Sequence, residues 1–161
     1  MKKINTVPQI ENENFLLREI LLEDASDLIE ISRYDNFSAK TEEDVIQILK
    51  WIQRDTIAGE SLHWGIVQKS SSEMIGTVGF YRGFEKNIGE IGYVLKEEFR
   101  GRGIMTEVVS VVTDFTFLKL DLSGVKAYTD YGNKASVRVL NKCGFTSEDN
   151  NGEGLVFSRM K

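Results

Sequence analysis

Apolar residues recur along this chain in two rhythms, and the change of rhythm marks out the elements. Val45, Ile48, Leu49 and Ile52 follow the i, i+3, i+4, i+7 spacing of one buried helical stripe. Thr41 with Glu42, Glu43 and Asp44 supplies a capping start, and Gly59 a stop. From Leu62 the period changes to two. Leu62–Gln68, Met74–Tyr81 and Ile88–Leu95 read as three strands joined by short polar turns, most simply an antiparallel meander. Gly76 and Gly79 inside the second of them predict close backbone approach or a bulge.

A helix is predicted from Ile104 to Leu120, with Ile104, Val108, Val111, Val112, Phe115 and Leu118 burying most of its surface. Before the meander, Asn14–Ile20 reads as a first strand and Leu22–Tyr34 as a helix with Asp24 and Asp27 near its positive end. After the long helix come a strand at Val125–Thr129 and a short helix at Asn133–Cys143 closed by Gly144. A strand opening at Phe145, a polar hairpin over Glu148–Gly154 and a last strand at Leu155–Arg159 complete the order. Met1–Pro8 is polar and expected to be loose at its tip. The expected fold class is mixed α/β (α+β), with a mostly antiparallel central sheet flanked by about four helices.

Composition narrows the functional classes. With 161 residues, 41% of them apolar, one domain over residues 1–161 is expected, its core at about 14–160. A net charge of −5 argues against a general nucleic-acid surface. One cysteine excludes an internal disulfide and suits a reducing compartment. No apolar run approaches the roughly 20 residues of a spanning helix, and no cleavable leader pattern opens the chain. A cytoplasmic protein without membrane contact is the expectation. A single histidine and no clustered ligands speak against a metal site.

Two stretches could carry chemistry. The first is the bend Arg100-Gly101-Arg102-Gly103-Ile104-Met105-Thr106, where a strand runs through two glycines into a helix start. Unpaired N–H groups gathered there could hold phosphate oxygens. It is neither a P-loop, lacking G-K-[ST], nor a Rossmann fingerprint. Spacing alone leaves an ordinary strand-to-helix turn equally open. The second is Asn133–Phe145, where Asn133 is a natural cap and Ser136, Val139, Leu140 and Cys143 share one inward stripe. A hydroxyl so placed could serve a cleft, or simply satisfy a backbone carbonyl.

Taken together, E-F-R-G-R-G-I-M-T-E and N-K-A-S-V-R-V-L-N-K-C-G-F resemble the GCN5-related N-acetyltransferase (GNAT) family, in the branch typified by ribosomal-protein N-terminal acetyltransferases. Leu16–Glu19, His63–Ile66, Met74–Phe80 and Gly89–Leu95 extend the resemblance over nearly the whole chain. It implies acetyl-CoA as cosubstrate and direct acetyl transfer to a primary amine, with no metal. The sheet would be splayed to admit the pantetheine arm, with backbone contacts from Val94 and Leu95. The pyrophosphate would lie on Arg100, Gly101, Arg102, Gly103, Ile104, Met105 and Thr106. Met105 stands where the family usually has Gly or Ala. Asn133 matches the cofactor-side asparagine.

The tyrosine that many members use to protonate the leaving thiolate is missing from the second stretch, and Ser136 matches the serine of the ribosomal-protein branch. Tyr128 and Tyr131 are weaker substitutes for the missing phenol. An amine must lose a proton before it attacks, and Glu90 leads the candidate bases. As a sheet residue Glu90 could instead be a cross-strand charge partner. His63 is an available imidazole, but beside Trp64 in a strand it reads more readily as a satisfied sheet residue. Cys143 reads as buried, and the aromatics as mostly core, with Phe80–Phe84 the best guess at a pocket. The acceptor would be a protein N-terminal α-amine or a small amine such as a polyamine, amino sugar or drug. A CoA-binding or interaction domain without catalysis is the alternative of another class. A homodimer is compatible with these patterns.

Overall fold

The structure is a computed structural model that describes residues 6–161. The expectation of a loose amino terminus therefore falls mostly on residues outside that range. Among the described residues, one eight-stranded sheet is built from β1 (Ile10–Glu11), β2 (Phe15–Arg18), β5 (Leu62–Gln68), β6 (Glu73–Tyr81), β7 (Ile88–Leu95), β8 (Gly124–Thr129), β9 (Thr146–Asp149) and β10 (Leu155–Met160). Its spatial order is β1-β2-β5-β6-β7-β8-β10-β9. Every pairing is antiparallel except that of β7 with β8. A separate small hairpin joins β3 (Arg33–Tyr34) to β4 (Phe37–Ser38).

One face of the sheet packs on α2 (Ile104–Phe115) and on α3 (Lys134–Lys142), burying Trp64, Phe80, Val108, Val112, Leu140 and Phe157 in the main core. The other face meets α1 (Glu42–Ala58) and the segment before it, with a smaller core around Leu28, Val45 and Leu49. Capping sets the start of α1. The Thr41 hydroxyl accepts the Asp44 N–H at 3.2 Å, and the Asp44 carboxylate accepts the Thr41 N–H at 3.1 Å.

Two expectations are corrected. The helix read at Leu22–Tyr34 is a 3₁₀ helix over Leu22–Leu28 followed by the β3–β4 hairpin. Asp24 forms a two-pronged pair with Arg18 at 2.7 and 2.8 Å and also accepts the Leu21 N–H. Burial pushes its carboxyl up, but those bonds and the Arg18 charge outweigh it and hold Asp24 below the usual range. Asp35, at φ +49°, turns the chain into the hairpin. The long helix also changes form. It is α-helical through Phe115 and π-helical over Thr116–Leu120. The Thr113 and Thr116 hydroxyls donate to carbonyls four residues back. The added residue per turn rotates Leu118 outward, where it is 78% exposed rather than buried.

Candidate active site

The parallel pairing of β7 with β8 is short. It covers Ile88, Gly89 and Glu90 against Gly124, Val125 and Lys126, and beyond Glu90 the two strands part. The Lys96 N–H donates to the Ile75 carbonyl, and Leu95 stands opposite Gly76. Alternation then directs the backbone groups of Glu90, Gly92 and Val94 toward β6, and those of Ile91, Tyr93 and Leu95 toward the gap. Of the two strand residues expected to contact a pantetheine by backbone, Leu95 faces the gap. Val94 does not: its pairing with Thr77 turns its backbone the other way, and its side chain lines the cleft described below.

At the mouth of the gap lies the glycine bend. Gly101 and Gly103 adopt φ +74° and +78°, and a Cβ on either would meet nothing within 4 Å. Positive φ, not crowding, requires glycine there. Gly103 is the N-cap of α2 and offers no side-chain cap. The first intrahelical bond runs from the Glu107 N–H to the Gly103 carbonyl, so the N–H groups of Ile104, Met105 and Thr106 precede it. An uncapped helix end of this kind is a ready anion site. Met105 leaves it clear, because its side chain is buried in the core and only 7% exposed. The two arginines behave differently. Arg102 is exposed and lies 5.8 Å over the Phe99 ring. The Arg100 Nε is tied back to the Leu95 carbonyl at 3.0 Å.

On the inner side of the gap, α3 presents Ser136. The Asn133 side chain accepts the Ser136 N–H at 3.1 Å, so it caps the helix as its sequence position suggests. Leu140 and Cys143 of the same stripe are buried. The Cys143 thiol donates to the Thr106 carbonyl at 3.3 Å, and burial pushes its pKa up. The Ser136 Oγ lies 2.8 Å from the Tyr93 hydroxyl, across the splay from β7. Tyr93 is the residue that the sequence pattern missed as a site residue. Its position in a strand rich in apolar residues reads as core packing, and nothing local links it to Ser136 43 positions later. Burial pushes its phenol up to about 12, against a smaller lowering by the Ser136 bond. The other phenols point elsewhere. Lys126 approaches the Tyr128 hydroxyl at 3.2 Å, and Tyr131 donates to Asp149.

The opposite face of β5–β7 floors a cleft of about 1020 Å³ lined by His63, Thr77, Tyr81, Glu90 and Val94, and walled by Tyr34, Asp55 and their neighbours. Strand glycines make room for its aromatic floor. A Cβ on Gly79 would lie 2.0 Å from the His63 ring, and one on Gly92 2.7 Å from the Tyr81 ring. His63 and Tyr81 are in contact at 4.0 Å between centroids. Phe80 points into the main core and Phe84 packs on it, so within the stretch Phe80–Phe84 expected to form a pocket it is Tyr81, Arg82 and Gly83 that line the cleft. His63 is 5% exposed and its Nε2 has no partner among the described residues. Burial lowers its pKa to about 4. Glu90, at the point where the strands part, has Lys126 at 3.9 Å. That is a loose ion pair rather than a hydrogen-bonded one. Among the described residues no group of His, Cys, Asp and Glu is arranged to hold a metal, and no helix is long and apolar enough to cross a membrane.

A splayed sheet with an uncapped, glycine-led helix at its mouth defines a class of acyl-transfer fold. The acetyltransferase (GNAT) domain model matches residues 14–146, and the chain belongs to that family. It is 33% identical over 153 residues to the uncharacterized N-acetyltransferase YoaA of Bacillus subtilis (strain 168), covering 88% of this chain and 84% of that protein. Its fold is shared with a putative ribosomal-protein-serine acetyltransferase from Vibrio cholerae, at TM-score 0.82 and 20% identity over 96% and 98% of the two chains. It is shared equally with RimL, a ribosomal L7/L12 alpha-N-protein acetyltransferase solved in complex with coenzyme A. There the TM-score is 0.81 and the identity 18%, over 95% and 98% of the chains. This protein is an acetyl-CoA-dependent N-acetyltransferase.

Proposed function

We propose that the chain acetylates the α-amine of a protein or peptide N-terminus. The observation that carries this reading is the shape and charge of the cleft on the Glu90 face. At about 1020 Å³ it is larger than a simple amine needs, and it spans residues of three strands, β5, β6 and β7. Carboxylates outnumber guanidiniums along it, with Glu30, Glu60 and Glu85 lacking any ion pair among the described residues. That balance favours a cationic acceptor. The named ribosomal-protein acetyltransferases among the structural neighbours support the same reading.

The roles of this chain's residues follow from their placement. The N–H groups of Ile104, Met105 and Thr106, with Gly101, Arg102 and Gly103, hold the pyrophosphate of acetyl-CoA. The backbone of Tyr93 and Leu95 meets its pantetheine arm. Arg100 braces the end of β7 through Leu95, and Asn133 braces α3. Bound acetyl-CoA supplies an activated acetyl thioester. Glu90, facing the cleft where the strands part, takes the proton from the incoming ammonium directly or through water. Ser136 donates a hydrogen bond to the sulfur as charge develops on it.

Incubation with acetyl-CoA and a panel of short peptides, polyamines and amino sugars tests the acceptor class. A mass gain of one acetyl group confined to peptide α-amines is expected. Acetylation of the small amines alone would overturn the reading, and CoA binding without turnover of any acceptor would reduce the protein to a binding module.

A further inference from the structure

We infer that Tyr93 is a positioning residue for Ser136. Its hydroxyl, arriving from the opposite side of the splay, fixes the direction of the Ser136 hydroxyl and leaves that hydroxyl's own proton free to serve the cosubstrate's sulfur. The inference rests on the sulfur-facing role proposed for Ser136 and adds a second member to that site.

The geometry has three parts. Tyr93 belongs to β7 and Ser136 to the first turn of α3, so the 2.8 Å contact bridges the two walls of the gap. Alternation along β7 sets the Tyr93 side chain on the same face of the sheet as those of Ile91 and Leu95, which are both buried. Tyr93 has no other side-chain hydrogen bond among the described residues, so the contact with Ser136 is what satisfies its hydroxyl.

The direction of the bond follows from chemistry. A phenol is the more acidic of two hydroxyls and the better donor, while a serine oxygen has two lone pairs to accept. With Tyr93 donating, the Ser136 proton cannot be spent on Tyr93. It is left for a third group, and accepting one hydrogen bond strengthens the donor on the same oxygen. A serine alone in this position would rotate among its three wells and present its proton to the sulfur only part of the time. Burial keeps the Tyr93 phenol protonated through the physiological range, so its donor role does not lapse. The phenol absent from the α3 motif is thus present in the fold, contributed by β7 and acting through the serine.

The test uses CoA and desulfo-CoA, which differ only in the thiol, with binding measured by calorimetry from pH 7 to 9. In the unaltered protein the preference for CoA should grow as the thiol ionises, reaching on the order of tenfold, the worth of a hydrogen bond to a charged partner. Ser136→Ala should abolish that growth. Tyr93→Phe should cut the ratio of CoA to desulfo-CoA affinity to about threefold, and Tyr93→Phe added to Ser136→Ala should leave that ratio as it is in Ser136→Ala. Replacing Tyr93 with 3-fluorotyrosine, which keeps the shape and strengthens the donor, should preserve the growth even where the phenylalanine variant fails to fold. A Tyr93→Phe protein that keeps the full preference, or a further loss in the double variant, would overturn the inference. If Ser136→Ala itself keeps the preference, the serine's role fails first.

Discussion

At the residue scale, the two titratable groups on the cleft floor make different predictions. Glu90 is placed for proton removal, with Lys126 too far away to hold it in a hydrogen bond. Glu90→Gln should lower kcat/KM by roughly 10²–10⁴ at neutral pH, the usual worth of a general base, and the loss should shrink as pH approaches the amine's own pKa. A loss that stays constant with pH would assign Glu90 to binding. His63 speaks to stability. The native imidazole stays neutral down to about pH 4, while the unfolded one protonates below its ordinary 6.5. Folding stability should therefore be level above pH 6.5 and fall between 6.5 and 4, by about 3 kcal/mol. Urea titrations across that window should show the fall, and a His63→Leu protein should lack this part of it. Neither residue's environment was legible in the sequence. Glu90 and His63 each read as a candidate beside a plainer structural alternative, because what separates the alternatives lies on neighbouring strands.

At the element scale, the sheet was well forecast where burial alternates and poorly where long-range pairs decide. The strands from Leu62 to Leu95 follow their hydrophobic rhythm to within a residue. The segment after Arg18 does not. Arg18 captures Asp24 and, with the Leu21 N–H, holds a tight 3₁₀ turn where acidic residues suggested the start of a longer helix. The glycines of β6 were read as close approach or a bulge, and both are present: a Cβ on Gly76 or Gly79 would meet neighbouring-strand backbone, and the β5–β6 register slips beside Gly76. Gly79→Ala would set a methyl group 2.0 Å from the His63 ring and 2.8 Å from the Leu62 carbonyl oxygen. The second contact is with backbone and cannot be relieved by a rotamer change. The substitution should cost about 1–3 kcal/mol and show as a lowered thermal midpoint. By contrast, the cap of α1 is local and was legible in full: Thr41→Ala should cost about 1 kcal/mol in the same assay, with acetyl transfer unchanged.

At the scale of the whole molecule, function depends on one topological feature. The pairing of β7 with β8 stops after three residues, and the opening that results joins two faces of the sheet. The donor-side features, the bend from Arg100 to Thr106 and the Tyr93–Ser136 pair, border the gap. The acceptor-side features, Glu90, Tyr81 and His63, lie on the floor of the cleft. The sequence revealed the bend and the serine through family resemblance, and the strand order through periodicity. It could not reveal Tyr93, whose partner is 43 positions away, nor that Val94 turns its backbone from the gap while Leu95 turns toward it.

A structure of the protein with CoA and an acetylated N-terminal peptide is the deciding measurement. The pyrophosphate is expected on the N–H groups of Ile104–Thr106, the sulfur within hydrogen-bond reach of Ser136, and the acetylated nitrogen on the Glu90 side of the gap. A sulfur remote from Ser136, or a peptide bound away from the His63–Tyr81–Glu90 cleft, would contradict that placement.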